Sequence, residues 1–165
     1  IGFMGELFGA FDELTKKYNI YKVETIGDAY IAGCAEAPLT SENVPINVVL
    51  FGLDMVIAVT QWSDKLGEEP VSCRVGIQHG ECIGGLVGIE MQRYHLFGKL
   101  VKELDILEST GMEGMVQISS ACKAAVELSM EEEGFQGVQF EMREGECLLT
   151  SKGERHSFDE VGGRT

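Results

Sequence analysis

Residues 21–30 read YKVETIGDAY, two acids and one glycine within ten residues that are otherwise rich in strand formers. YKVETI and the AYIAGCA that follows at 29–35 are strand-like runs, separated only by Gly27 and Asp28. Two such runs joined by a two-residue link containing glycine predict a tight β-hairpin. The hairpin sets two carboxylates, Glu24 and Asp28, four residues apart among largely apolar neighbours. Taken alone, an acid after glycine is an ordinary turn residue and Glu24 an exposed strand charge. What surrounds the hairpin gives the two acids their meaning.

Upstream, Leu7, Phe8, Phe11, Leu14 and Tyr18 recur at helical spacing, and Lys16 and Lys17 lie where they suit the C-terminal end of a helix dipole. That helix ends near Asn19. Downstream, APLTSENVP (37–45) is a loop marked by two prolines. A second long helix runs from Ile46 to Lys65 and stops at Gly67 and Pro70. VSCRVGIQHGECIGGLVG (71–88) predicts two strands, with Gly84, Gly85 and Gly88 read as close-packing positions rather than a phosphate cradle. RYHLFG (93–98) precedes a third helix, KLVKELDILEST, that ends at Gly111. MVQIS (115–119) is a short strand, and Ser119 or Ser120 caps a fourth helix, ACKAAVELSM. The tail carries a hairpin near Glu144 and Gly145 and a further turn near Lys152 and Gly153. Helices and strands interleave, with hairpins in the middle and at the end, which predicts an α+β class with a mainly antiparallel sheet.

The chain has 165 residues, 44% of them hydrophobic, enough for a core of its own and for one domain over 1–165. Thirteen basic against twenty-seven acidic residues give a formal charge of −14, a field that repels phosphate backbones, so no nucleic-acid partner is expected. The longest apolar run, at 47–59, carries a charge and is short of the roughly 20 residues that cross a bilayer, so no membrane contact by this domain is expected. The opening residues lack the pattern of a secretory signal and begin inside an amphipathic repeat, which reads as a chain cut from something longer. Five scattered cysteines suit a reducing, cytoplasmic compartment. Cys73, His79, Cys82 and His95 match no common zinc spacing and are read as small buried thiols and strand residues.

KVETIGDAY, RVGIQHGECIGGLVG, RYHLFG and ESTG (108–111), in this order and spacing, together resemble the catalytic domain of the class III nucleotide cyclases, and specifically the guanylate cyclase branch. The resemblance runs from FDELTKKY to GERHSF. It implies a ferredoxin-like domain that pairs head to tail, with active sites formed between two domains. It implies two Mg2+ or Mn2+ ions held by two aspartates of one subunit; Asp28 matches the second, and the first belongs to a strand preceding residue 1. Magnesium favours hard oxygen ligands together with substrate phosphates. Glu24 matches the acid that reads the base. A carboxylate only accepts hydrogen bonds, so it suits the N1–H and N2–H2 edge of the guanine of GTP and not the N1 lone pair of adenine.

The departures from the pattern are specific. His95 stands in RYHLFG where the family's guanylate cyclases place a cysteine that assists base recognition. Lys102 and Ile106 stand where active members carry an asparagine that orients the ribose and an arginine that steadies the transition-state phosphate, so neither catalytic residue is intact. Thr150 falls on the family's phosphate-binding lysine, with Lys152 two residues on. The surviving pattern is asymmetric. It leads us to expect a guanylate cyclase domain that makes cyclic GMP and pyrophosphate as the metal-donating subunit of a heterodimer with a second cyclase domain, a homodimer being the other arrangement. The alternatives are an inactive pseudo-cyclase that serves regulation or dimerisation, and a ferredoxin-like interaction domain with no nucleotide role.

Overall fold

The computed structural model describes residues 2–35, 40–67, 70–87, 93–143 and 146–149. Helix α1 (Gly2–Tyr18) leads into strands β1 (Tyr21–Ile26) and β2 (Ala29–Gly33), followed by helix α2 (Pro45–Leu66). Then come β3 (Val75–Ile77), β4 (Ile83–Val87), β5 (Arg93–Phe97) and helix α3 (Lys99–Ser109). Strand β6 (Val116–Ile118), helix α4 (Ser120–Glu132), β7 (Phe140–Arg143) and β8 (Glu146–Leu149) complete the order. The predicted helices and strands are present among the described residues, and the class is α+β. The expected turns at 144–145 and 152–153, part of the expected loop (37–39), and Gly88, Thr150 and Lys152 lie outside the described residues.

One sheet has the order β3-β6-β8-β7, while β1 pairs with β2 and β4 with β5, each antiparallel. The β3–β6 pair is parallel, and the connection between them passes through β4, β5 and α3; β6–β8 and β7–β8 are antiparallel. The residues 71–88 therefore form two strands as expected, but these do not pair with each other: β3 joins the central sheet and β4 joins β5. A two-residue hairpin cannot connect parallel neighbours, and the β4–β5–α3 segment between β3 and β6 supplies the length that such a crossover needs.

Helix α2 is the centre of the core. Its Val49, Leu53, Val56 and Val59 are buried, and each such side chain contributes on the order of 1.5–3 kcal/mol. The helix is 22 residues long, long and apolar enough by length and composition alone to cross a membrane, unlike the 47–59 run; most of its apolar stretch is nonetheless buried against the rest of the fold. Gly52 brings α2 onto the sheet: a Cβ there would lie 3.2 Å from both Ile77 Cδ1 and Val75 Cγ1. Helix α1 docks on α2 partly through Asp54, which accepts hydrogen bonds from the Tyr18 hydroxyl and from Lys17 Nζ at 3.2 Å.

Helix ends follow local chemistry. Asn19, after α1, takes a left-handed φ of 57°, a conformation that asparagine tolerates better than most residues. Gly67 closes α2 at φ 70°. Ser119, and not Ser120, caps α4 by accepting from the Cys122 amide at 3.1 Å.

Candidate active site

The turn of the β1–β2 hairpin needs glycine at its first position. Gly27 has φ 59° and Asp28 does not take a positive φ, which fits a type II′ turn and explains the order Gly-Asp. Asp28 is exposed at the tip. Pairing runs Ile26↔Ala29, Thr25↔Tyr30 and Glu24↔Ile31, then shifts so that Lys22 pairs with Ala32. Val23 is thus the extra residue of a β-bulge, and a bulge changes which face the following side chains take.

Partners across a ladder share a face, so Lys22 lies with Tyr30 and Ala32 on one side, and Glu24 lies with Ile31 on the other. The first side is turned to α1. Tyr30 and Ala32 pack on the hydrophobic core, and the Tyr30 ring meets Phe8 and Phe11 edge-on with centroids 5.4 and 5.3 Å away. The Tyr30 hydroxyl donates to Asp12 Oδ1 at 2.5 Å, and Lys22 Nζ reaches the same oxygen at 3.2 Å. The Tyr30 hydrogen bond, followed by Lys22, holds the Asp12 carboxyl below its ordinary pKa, while burial and then the Asp12 bond push the Tyr30 phenol well above the usual tyrosine range. The second side faces away from α1 and carries Glu24, the exposed Ile26 and the exposed Ala29.

Strand β1 lies beside β5, and β5 in turn contacts α3, so the strand of Glu24, the strand of His95 and the helix of Lys102 and Ile106 form one contiguous run. His95 is paired with Gly85 in the β4–β5 ladder. On α3, Lys102 is exposed and Ile106 is 56% exposed, one turn apart on the outward face, whereas Leu107 is buried against the sheet. That outward orientation is enforced from behind. Gly76 of β3 approaches so closely that a Cβ there would stand 2.6 Å from the Glu108 nitrogen. The fully buried Gln117 of β6 donates to the Leu107 carbonyl at 2.9 Å and to Thr110 Oγ1 at 3.0 Å, while Arg143 of β7 donates to the Thr110 carbonyl at 2.7 Å. These contacts satisfy carbonyls at the C-terminal end of α3 and place a cation where the helix dipole favours one.

An exposed carboxylate on a tight turn suits a hard divalent cation in kind. Among the described residues no three His, Cys, Asp or Glu side chains are grouped closely enough to hold a metal ion, so Asp28 can offer one carboxylate and the remaining ligands would come from elsewhere, substrate phosphates included. Of the cysteine and histidine positions, Cys73 is half-buried, but Cys82 is exposed and His79 is an exposed loop residue just beyond β3; the reading of these as buried thiols and strand residues fails for both. An open groove at the end of α4, lined by Glu127, Met130 and Phe135 among others, contains none of the motif residues. Sequence reasoning missed Asp12, Lys22, Tyr30 and Gln117. Their roles are long-range contacts, and the one available signal was an acid, Asp12, within the helical FDELTKKY.

The geometry agrees with comparisons to known proteins. The family described as the adenylate and guanylate cyclase catalytic domain matches residues 1–158. The chain is 33% identical over 158 residues to guanylate cyclase soluble subunit beta-2 of Rattus norvegicus, covering 96% of this chain and 22% of that protein. It is 30% identical over 165 residues to retinal guanylyl cyclase 1 of Homo sapiens, covering 99% of this chain and 14% of that protein. It therefore spans less than a quarter of the length of either curated relative. Among solved structures, the guanylate cyclase domain of RhGC from Catenaria anguillulae, in complex with GTP, superposes with a TM-score of 0.71 at 26% identity, covering 88% of this chain and 80% of that one. The guanylyl cyclase Cya2 has a TM-score of 0.69 at 21% identity, covering 90% and 77%, a likeness of fold alone. With the acid-bearing hairpin, the adjoining β4–β5 ladder and the outward-facing α3 all in place, the chain belongs to the adenylate and guanylate cyclase catalytic domain family, in its guanylate cyclase branch.

Proposed function

We propose that residues 1–165 form one guanylate cyclase domain that acts as the metal-donating member of a heterodimer, converting GTP to cyclic GMP and pyrophosphate. One observation carries this reading: Asp28 stands exposed at the hairpin tip and Glu24 on the side turned away from α1, while the outward face of α3 presents Lys102 and the exposed Ile106. In the reaction the 3′-oxygen of GTP bonds to the α-phosphorus, the bond to pyrophosphate breaks, and the 3′-hydroxyl proton is lost. Two Mg2+ or Mn2+ ions, when bound, favour the 3′-oxyanion and neutralise the departing pyrophosphate. Asp28 would provide this chain's carboxylate to them.

Glu24, with His95 on the neighbouring strand, would face the guanine edge in the other half-site. Ile106 can donate no hydrogen bond to the transition-state phosphate, and loss of one such donor costs on the order of 100–1000-fold in rate. Lys102 is a cation and cannot accept from the ribose hydroxyls. A partner with its own asparagine and arginine would therefore complete the site that Asp28 serves. The full-length protein co-expressed with a complete guanylate cyclase subunit should produce cyclic GMP above the level of that subunit alone. If no partner yields turnover and the complex still binds GTP, the regulatory pseudo-cyclase, which the exposed Ile106 also favours, replaces this reading.

A further inference from the structure

We infer that Asp12 is a positioning residue: from α1 it clamps Lys22 and Tyr30, one on each strand of the hairpin, and so holds the bulged register that presents Glu24 and Asp28. The inference deepens the proposed function and rests on the reading of the hairpin as the part of the domain that faces metal and base. Both anchors converge on one oxygen, Asp12 Oδ1, with Tyr30 Oη at 2.5 Å and Lys22 Nζ at 3.2 Å. Lys22 Nζ also lies 5.3 Å from the centre of the Tyr30 ring, so the three groups make a closed triangle.

The register shows why the triangle matters. Lys22 lies before the bulge and Tyr30 is paired with Thr25 beyond it, so the two anchors straddle Val23. If the bulge slipped out and the ladder continued regularly from the turn, Glu24 would still pair with Ile31 but Lys22 would fall opposite Gly33. Lys22 would then point away from α1 and could not reach Asp12. If the regular ladder were instead continued from Lys22, Glu24 would move opposite Tyr30 and turn toward α1. Only the bulged register lets one carboxylate on α1 hold both anchors while Glu24 stays on the opposite face. Tyr30 is two residues after Asp28, so the same clamp fixes the base of the turn that carries the metal-binding acid.

Hydrogen exchange on the full-length protein tests the clamp without turnover. Asp12→Ala should speed exchange of the amides of residues 21–33 by about tenfold or more and leave those of α2 unchanged, because local opening is set by the contacts of the segment itself. Tyr30→Phe keeps the ring contacts and should give a smaller increase in the same segment, and Asp12→Asn, which still accepts from Tyr30, should lie nearer the wild type. The double variant Asp12→Ala with Tyr30→Phe should be no worse than Asp12→Ala. Hairpin exchange unaltered in Asp12→Ala, or raised equally in α2, would overturn the clamp. Mn2+ binding, read by electron paramagnetic resonance on the heterodimer with a non-hydrolysable GTP analogue, should weaken about tenfold or more in Asp12→Ala with subunit association intact, the scale on which lost support of a ligand acts. Unchanged Mn2+ affinity would also overturn the inference. Absence of cyclic GMP from the wild-type heterodimer would count against the proposed function only, since neither readout depends on catalysis.

Discussion

Lys22 and Glu24 are two residues apart on one strand, a spacing that ordinarily puts both side chains on the same face, yet they lie on opposite faces of the β1–β2 hairpin. The bulge at Val23 separates them. Lys22 turns to Asp12 on α1, and Glu24 lies with Ile31 on the opposite face of the hairpin. Anchoring to α1 is thereby confined to one face of the hairpin, and Glu24 is left on the other.

This division leads to a ranking of the two acids. In the heterodimer, Asp28→Asn keeps the turn but removes the carboxylate offered to a hard cation, and cyclic GMP formation should fall by at least about 100-fold. Glu24→Lys should do much less, because the half-site proposed for it already has Lys102 and Ile106. Steady-state assays of both variants decide the matter, and the reverse order would mean that the half-sites are assigned the wrong way round.

The purified homodimer should not cyclise GTP measurably with Mg2+ or Mn2+. Lys102 and Ile106 both lie on the outward face of α3, where a replacement side chain needs no repacking of the core. Lys102→Asn combined with Ile106→Arg should therefore create cyclic GMP production where there was none, with either single change giving far less. Robust production by the unaltered homodimer would remove the argument for a heterodimer.

Gly76→Ala tests how α3 is seated. The added Cβ would stand 2.6 Å from the Glu108 nitrogen and 2.9 Å from the Leu107 carbonyl carbon, backbone atoms that cannot swing aside. Overpacking of this kind costs about 1–3 kcal/mol. Urea unfolding should show a lower midpoint with an unchanged slope, and a midpoint equal to the wild type would show that α3 is not held against β3 as described.

Burial pushes the Cys73 thiol up to about 11, whereas Cys82 is exposed. The thiolate is the reactive form, so alkylation with iodoacetamide at pH 8 should label Cys82 well before Cys73, and the buried Cys122 should remain protected in the folded protein. Peptide mapping by mass spectrometry reads the order directly. Cys73 labelling first would contradict the packing of the segment before β3.

The Tyr30 hydrogen bond depresses the Asp12 pKa below its ordinary value of 3.8. Its contribution to stability is present above that value and is lost as pH falls below it toward the folded-state pKa. The stability difference between wild type and Asp12→Asn should accordingly be largest near neutral pH and shrink below about pH 4. Urea midpoints of the two proteins at pH 7 and pH 3 supply the comparison, and a difference that grows in acid would reverse the assigned direction.

What the sequence determined by itself is the set of local structures and the family. The hairpin followed from two strand-like runs around Gly27 and Asp28, the four helices from apolar spacing, and the ends of α1 and α2 from Asn19 and Gly67, because these depend on energetics within a few residues. The motif order carried the resemblance on which Glu24, Asp28, His95, Lys102 and Ile106 are singled out. Tertiary structure decided which way Glu24, Lys102 and Ile106 face. The Val23 bulge is a matter of register between strands and is selected by Asp12, ten and eighteen residues from its partners Lys22 and Tyr30, so no local pattern announces it. The parallel pairing of β3 with β6, the approach of Gly76 to the end of α3 and the Gln117 contacts behind that helix likewise depend on residues brought together by the packing of α2 and α3 on the sheet. Spacing along the chain sets which elements form; contacts between elements set which of their faces is left for chemistry.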